Sequence, residues 1–138
     1  MILNCECVRD VLLYLEQQNY VIPSAASVVF FQPVKFIQIA TAMPEYSKED
    51  VFYALFNLKQ AEYISADTDG RAGEITVFDV SYITFKGHEF LAKIKDKEKW
   101  FSIKKVLSGI KDYSLAAIGA VAQGITGSLI EALVNSKR

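Results

Sequence analysis

Residues 46–64 read as a capped helix running through a tight turn into a strand, and that succession constrains the fold more than any other stretch. Ser47 is placed as an N-cap, the position where a short side-chain oxygen satisfies an orphan N–H of the first turn. Glu49 and Asp50 follow where the helix dipole favours negative charge, and Ser47 to Asp50 has capping-box-like spacing. Val51, Ala54, Leu55, Leu58 and Ala61 recur at steps of three and four and predict one buried face. Residues 67–74 have turn composition, residues 75–83 read as a second strand, and Thr84 caps a new helix carrying Phe85, Leu91 and Ile94 with Phe90 alongside.

The order helix, strand, loop, strand, helix is how the second helix of a helix-turn-helix enters a wing. The expected fold class is therefore α+β, a winged helix-turn-helix-like domain with additional C-terminal helices. Residues 4–18 supply a first amphipathic helix through Val8, Val11, Leu12 and Leu15. Residues 28–31 and 36–41 are rich in β-branched and aromatic residues and predict two short strands around Pro33. The competing reading is a helix starting at Pro33, with Val34, Ile37 and Ala40 along one face. Residues 98–111 are helical, with Trp100, Ile103, Val106, Leu107 and Ile110 set against Lys97, Lys99, Lys104, Lys105 and Lys111. Ser114 caps a last helix whose Leu115, Ile118, Ala122, Ile125, Leu129 and Ala132 form a heptad-like seam. The division expected is a domain over 1–111 and, over 112–138, an apolar helix for packing or oligomerisation.

A chain of 138 residues, about half of them apolar, can close one hydrophobic core unaided. Its charge is unevenly spread. Residues 1–85 hold eleven Asp or Glu against five Lys or Arg, whereas residues 86–111 hold eight Lys against three acids. An acidic head is a poor match for phosphates. The N-terminus has no basic region and too short an apolar run for a secretory signal, so a cytoplasmic location is expected. Cys5 and Cys7 lie too close in sequence to staple distant segments, and with His88 they fall short of a zinc ligand set. His88, in the first turn of its helix, has no Ser, Cys or Asp constellation to make it a base. No phosphate loop, nucleophile elbow or paired-carboxylate signature is present, so neither enzymatic activity nor a cofactor is expected. Residues 113–130 carry no charge, but Gly119, Gln123, Gly124, Thr126, Gly127 and Ser128 make a poor membrane span.

Leu3-Asn4 with residues 8–13, then residues 46–51 with Tyr53, Leu55, Leu58 and Ala61, and above all the run Thr84-Phe85-Lys86-Gly87-His88-Glu89-Phe90-Leu91 followed by Ile94, Asp96 and Trp100, carry a resemblance. Over residues 1–111 the chain resembles a bacterial and prophage family catalogued as a domain of unknown function. The resemblance implies a winged-helix-like fold, frequent phage association and no assigned activity. The chain departs from that family's usual pattern at Ala54, where the family places His, and at Phe56, where it places a polar or basic residue. It departs again at Asn57, where the family has Leu, and at Glu62, where it has Gly.

The expected function is a non-enzymatic, phage- or prophage-associated adaptor or regulator that binds a macromolecule. Lys48, Phe52, Phe56, Lys59 and Arg71 are the candidate partner-binding residues, all on the helix after Ser47 or at the hairpin tip. The competing view of Phe52 and Phe56 is that they pack beneath the hairpin. A protein partner and a homo-oligomer formed through the seam are expected. Duplex DNA is the alternative partner, with residues 93–111 as a basic face, and membrane association through the last helix is a further alternative.

Overall fold

Asn4 opens the first element with its side-chain oxygen accepting the Cys7 N–H at 3.1 Å. Helix α1 (Cys5–Glu16) then buries Val8, Val11, Leu12 and Leu15 completely. The computed structural model describes residues 1–18, 21–23 and 29–124. Strands β1 (Val21–Pro23) and β2 (Val29–Phe31) pair antiparallel. Strand β3 (Val34–Lys35) leads into α2 (Phe36–Ala42), and α3 (Lys48–Gln60) follows. The hairpin of β4 (Ile64–Arg71) and β5 (Glu74–Ile83) precedes α4 (Phe85–Ile94), α5 (Lys97–Ile110) and α6 (Leu115–Gly124). The described residues are thus α+β, with six helices and a three-stranded antiparallel sheet in the order β3-β5-β4. The two helices α2 and α3, inserted between β3 and the hairpin that pairs with it, are compatible with a winged-helix-like arrangement.

Local chemistry explains α3. The Ser47 Oγ accepts the Asp50 N–H at 3.1 Å, and Val51, Ala54, Leu55 and Leu58 are fully buried, as the sequence spacing requires. At its other end the Glu62 N–H donates to Lys59 O at 3.0 Å and the Tyr63 N–H to Leu58 O at 2.9 Å. This is a Schellman closure, which demands a left-handed residue just past the helix. Glu62 supplies it at φ 63°, a conformation that costs an L-residue free energy and that glycine adopts freely.

The turn then locks onto α4. Tyr63 O accepts the Thr84 N–H at 3.1 Å, and the Thr84 hydroxyl donates to Glu62 O at 2.7 Å while accepting the Gly87 N–H at 3.0 Å. Gly87 is pressed against the same turn, so that a Cβ there would lie 1.9 Å from Tyr63 O. Phe90 stacks on Tyr63 with ring centroids 4.6 Å apart.

Three expectations are corrected. Residues 36–41 are helix rather than strand: Ile39, Ala40 and Met43 go into the core at helical spacing, while Ile37 is 54% exposed. Burial at that spacing overrides the β-propensity of a short run, and the rival helix is nearer the mark but begins at Phe36. Residues 67–71 and 74 are strand, and the turn is only Ala72-Gly73, both at positive φ, as in the two-residue turns that suit hairpin twist. Phe85 is 80% exposed, because at 100° per residue it lies opposite the side on which Phe90, Leu91 and Ile94 are buried.

The later helices are tied to α1. Asp96 caps α5 through the Lys99 N–H, Trp100 Nε1 donates to Glu6 at 3.2 Å, and Lys104 pairs with the same carboxylate. Arg9 donates to Ile94 O at 2.9 Å and Lys95 O at 2.7 Å, capping the end of α4. Leu115, Ile118 and Ala122 are buried in the chain's own core, where α6 packs on α4 and α5. Ile125, Leu129 and Ala132 lie outside the described residues.

Gly87→Ala is expected to lower stability by about 3 kcal/mol or more in chemical denaturation, because backbone rather than a yielding side chain opposes the methyl. Glu62→Gly should instead stabilise, by up to about 1 kcal/mol, by relieving the left-handed strain. Burial raises the Glu6 pKa, but the hydrogen bonds from Lys104 and Trp100 outweigh it and hold the carboxyl below its ordinary 4.5. Its stabilisation is therefore present above pH 4.5 and lost as the pH falls through the lowered value. Melting temperatures of wild type and Glu6→Gln should differ at neutral pH and converge in acid.

Candidate interaction surface

The candidate residues on α3 fall into two groups. Phe52 is half-buried and packs edge-on against Phe36 of α2 at 5.8 Å and Phe78 of β5 at 5.7 Å. Phe56, one turn on, stacks on Phe52 at 6.3 Å and is also half-buried. An aromatic ladder thus joins α2, α3 and the hairpin. Phe52 is mainly packing, as the competing view has it, and Phe56 is the ladder's outer member.

The basic candidates are not brought together. Lys48 is exposed at the first position of α3, eleven residues from Lys59, or about 16 Å along the axis. Lys59 reaches the hairpin, where its ammonium donates to the Thr68 hydroxyl at 3.2 Å. Arg71 is exposed beside the tip turn, three residues or about 10 Å beyond Thr68. Around them stand Glu49, Asp50, Glu62, Asp67, Asp69, Glu74 and Asp79, so that residues 47–83 carry seven acids against three bases.

A concavity of about 500 Å³ lies between α4 and α6, with Tyr63 at its wall. Within it Lys86 sits over the Tyr63 ring at 5.6 Å, and Lys93 donates to Gln123 at 2.9 Å. His88 is exposed. Burial raises the Cys5 thiol, and pushes Cys7 up to about 12 with help from Asp50, Asp10 and Glu45. Both are free thiols held away from the reactive thiolate form. Among the described residues no group of three or more His, Cys, Asp or Glu could hold a metal ion, and no helix is long and apolar enough to cross a membrane.

Sequence reading passed over two surface features. Val77, Asp79, Asp67 and Asp69 share the outer face of the hairpin, and Phe101, 51% exposed, lies under Lys105 with the ammonium 4.2 Å from the ring centroid. The first needs the cross-strand register. The second could have been found from the i, i+4 spacing of Lys97, Phe101 and Lys105.

The described residues define a small α+β protein whose arrangement is compatible with a winged-helix-like one. Residues 2–113 match the model of the family described as "Hypothetical protein (DUF2513)", and the chain belongs to that family. Neither a curated protein nor a solved structure matches it.

Phe52→Ala is expected to cost about 2–3 kcal/mol of unfolding free energy through loss of its packing. Phe56→Ala should cost under about 1 kcal/mol, since it is only half-buried and stands outside the core cluster that Phe52 joins. Equal losses at the two positions would show the whole ladder to be core.

Proposed function

We propose that the chain is a non-enzymatic winged-helix module, of the phage- or prophage-borne kind that the sequence resemblance implies, acting as a protein-interaction adaptor or regulator. The observation that carries this reading is the chemistry of α3 and the hairpin. In a DNA-binding winged helix that surface meets phosphates and must be rich in Lys and Arg. Here seven acids outnumber three bases across residues 47–83, and Lys59 is engaged by Thr68. A half-exposed aromatic beside polar and acidic groups suits a protein partner better. Phe56 is the central contact in this reading, with Phe52 supporting it and Lys48, Lys59 and Arg71 at the rim.

The second reading, a DNA-binding regulator, is favoured by the lysines of α4 and α5, where residues 86–111 carry eight Lys against three acids. Mobility shift with random duplex DNA across a salt series separates the two. The protein reading expects no sub-micromolar affinity near 0.15 M salt, roughly the physiological value. Sub-micromolar binding that weakens steeply with salt and is lost on Lys48→Glu, Lys59→Glu or Arg71→Glu would overturn it. Loss on replacing lysines of α5 instead would move the DNA site to that helix.

A further inference from the structure

The hairpin register exposes an unbalanced acidic face. Phe78 and Val80 point inward and are buried, so their neighbours Val77 and Asp79 point outward. Residues directly opposite in an antiparallel pair share a side, which turns Asp69, opposite Val77, and Asp67, opposite Asp79, outward too. Two carboxylates therefore face each other across β4 and β5, an arrangement that destabilises a hairpin. Lys35, opposite Asp79 on β3, is the cation of that row. Val77, 38% exposed, adds an apolar spot beside Asp69.

The same chain carries the complementary surface. On α5, Lys97, Phe101 and Lys105 follow at steps of four and form one outward line about 12 Å long, with exposed Phe101 at its centre. Neither Lys97 nor Lys105 forms an ion pair among the described residues. The formal net charge of −1 presents no overall repulsion between copies, while the acidic and basic stretches are segregated along the chain.

We propose that a second copy of this chain docks here, the outer hairpin face of one molecule meeting the α5 stripe of the other. Lys97 and Lys105 of the partner copy approach the carboxylates of Asp67, Asp69 and Asp79, and its Phe101 covers Val77. The contact joins two different patches, so it closes as a twofold pair when both patches are used reciprocally and otherwise grows head to tail. It is independent of the α3 surface and needs nothing from the C-terminal seam.

Sedimentation velocity on the full chain tests this. Self-association is expected at about 0.03 M salt and should be at least about tenfold weaker at about 0.5 M. The double variants Asp67→Lys with Asp69→Lys, and Lys97→Glu with Lys105→Glu, should each be monomeric and folded, since Asp67, Asp69 and Lys97 are exposed and Lys105 is only half-buried. Mixed in equal amounts they should associate again, because each then offers the charge the other lacks. A wild type that stays monomeric at low salt and millimolar concentration would overturn the proposal. So would association that survives in both variants, or a mixture of two folded variants that stays monomeric.

Discussion

The structure depends on how the chain leaves α3. A Schellman turn needs one left-handed residue, and once Glu62 takes that conformation the carbonyls of Glu62 and Tyr63 point toward the start of α4. Thr84 bonds both carbonyls, through its hydroxyl and its N–H, and still accepts the Gly87 N–H. Gly87 is glycine because Tyr63 O occupies the place of a side chain. One short joint thus fixes the end of α3, the first residues of β4, the last of β5 and the first turn of α4. The run of residues 84–91 that carries the family resemblance is largely accounted for by this joint: Thr84 caps, Gly87 permits contact, Phe90 stacks on Tyr63 and Leu91 enters the core.

From that joint the hairpin projects, and the aromatic ladder sets its tilt against the helices. Phe36, Phe52 and Phe78 come from three elements and meet edge to face, a geometry that aromatic quadrupoles favour. With Phe52 committed to this contact, the inner side of the hairpin is spoken for. What remains available to a partner is Phe56, the charged rim of α3 and the outer hairpin face. On the other side of α1, Glu6, Arg9 and Glu16 bond to α5 and to the end of α4, so the basic helices are held to the acidic head by a few polar contacts as well as by the core.

The seam on the last helix shows why an apolar stripe alone does not specify a partner. Leu115, Ile118 and Ala122 satisfy both a coiled-coil spacing and the spacing of a helix packed on its own domain, and in the fold they are buried against α4 and α5. Burial is what the stripe encodes, and the identity of the covering surface is a tertiary matter.

The sequence by itself determined the parts set by local chemistry. Ser47, Thr84 and Ser114 each cap a helix because a short oxygen side chain can satisfy an orphan N–H without help from distant residues. The buried faces of α1 and α3 follow from helical periodicity, and the uneven charge is a matter of counting. Tertiary structure decided the rest. Residues 36–41 have strand-like composition yet form α2, because Ile39 and Ala40 find core only on a helical face. A plain two-residue hairpin turning at Ala72-Gly73 would set Asp67 opposite Phe78. The shift in register between Asp69 and Gly70 moves it opposite Asp79 and turns both acids outward. A one-residue change of register reverses every side chain of a strand, and only the packing of Phe78 and Val80 against the helices selects which register is kept.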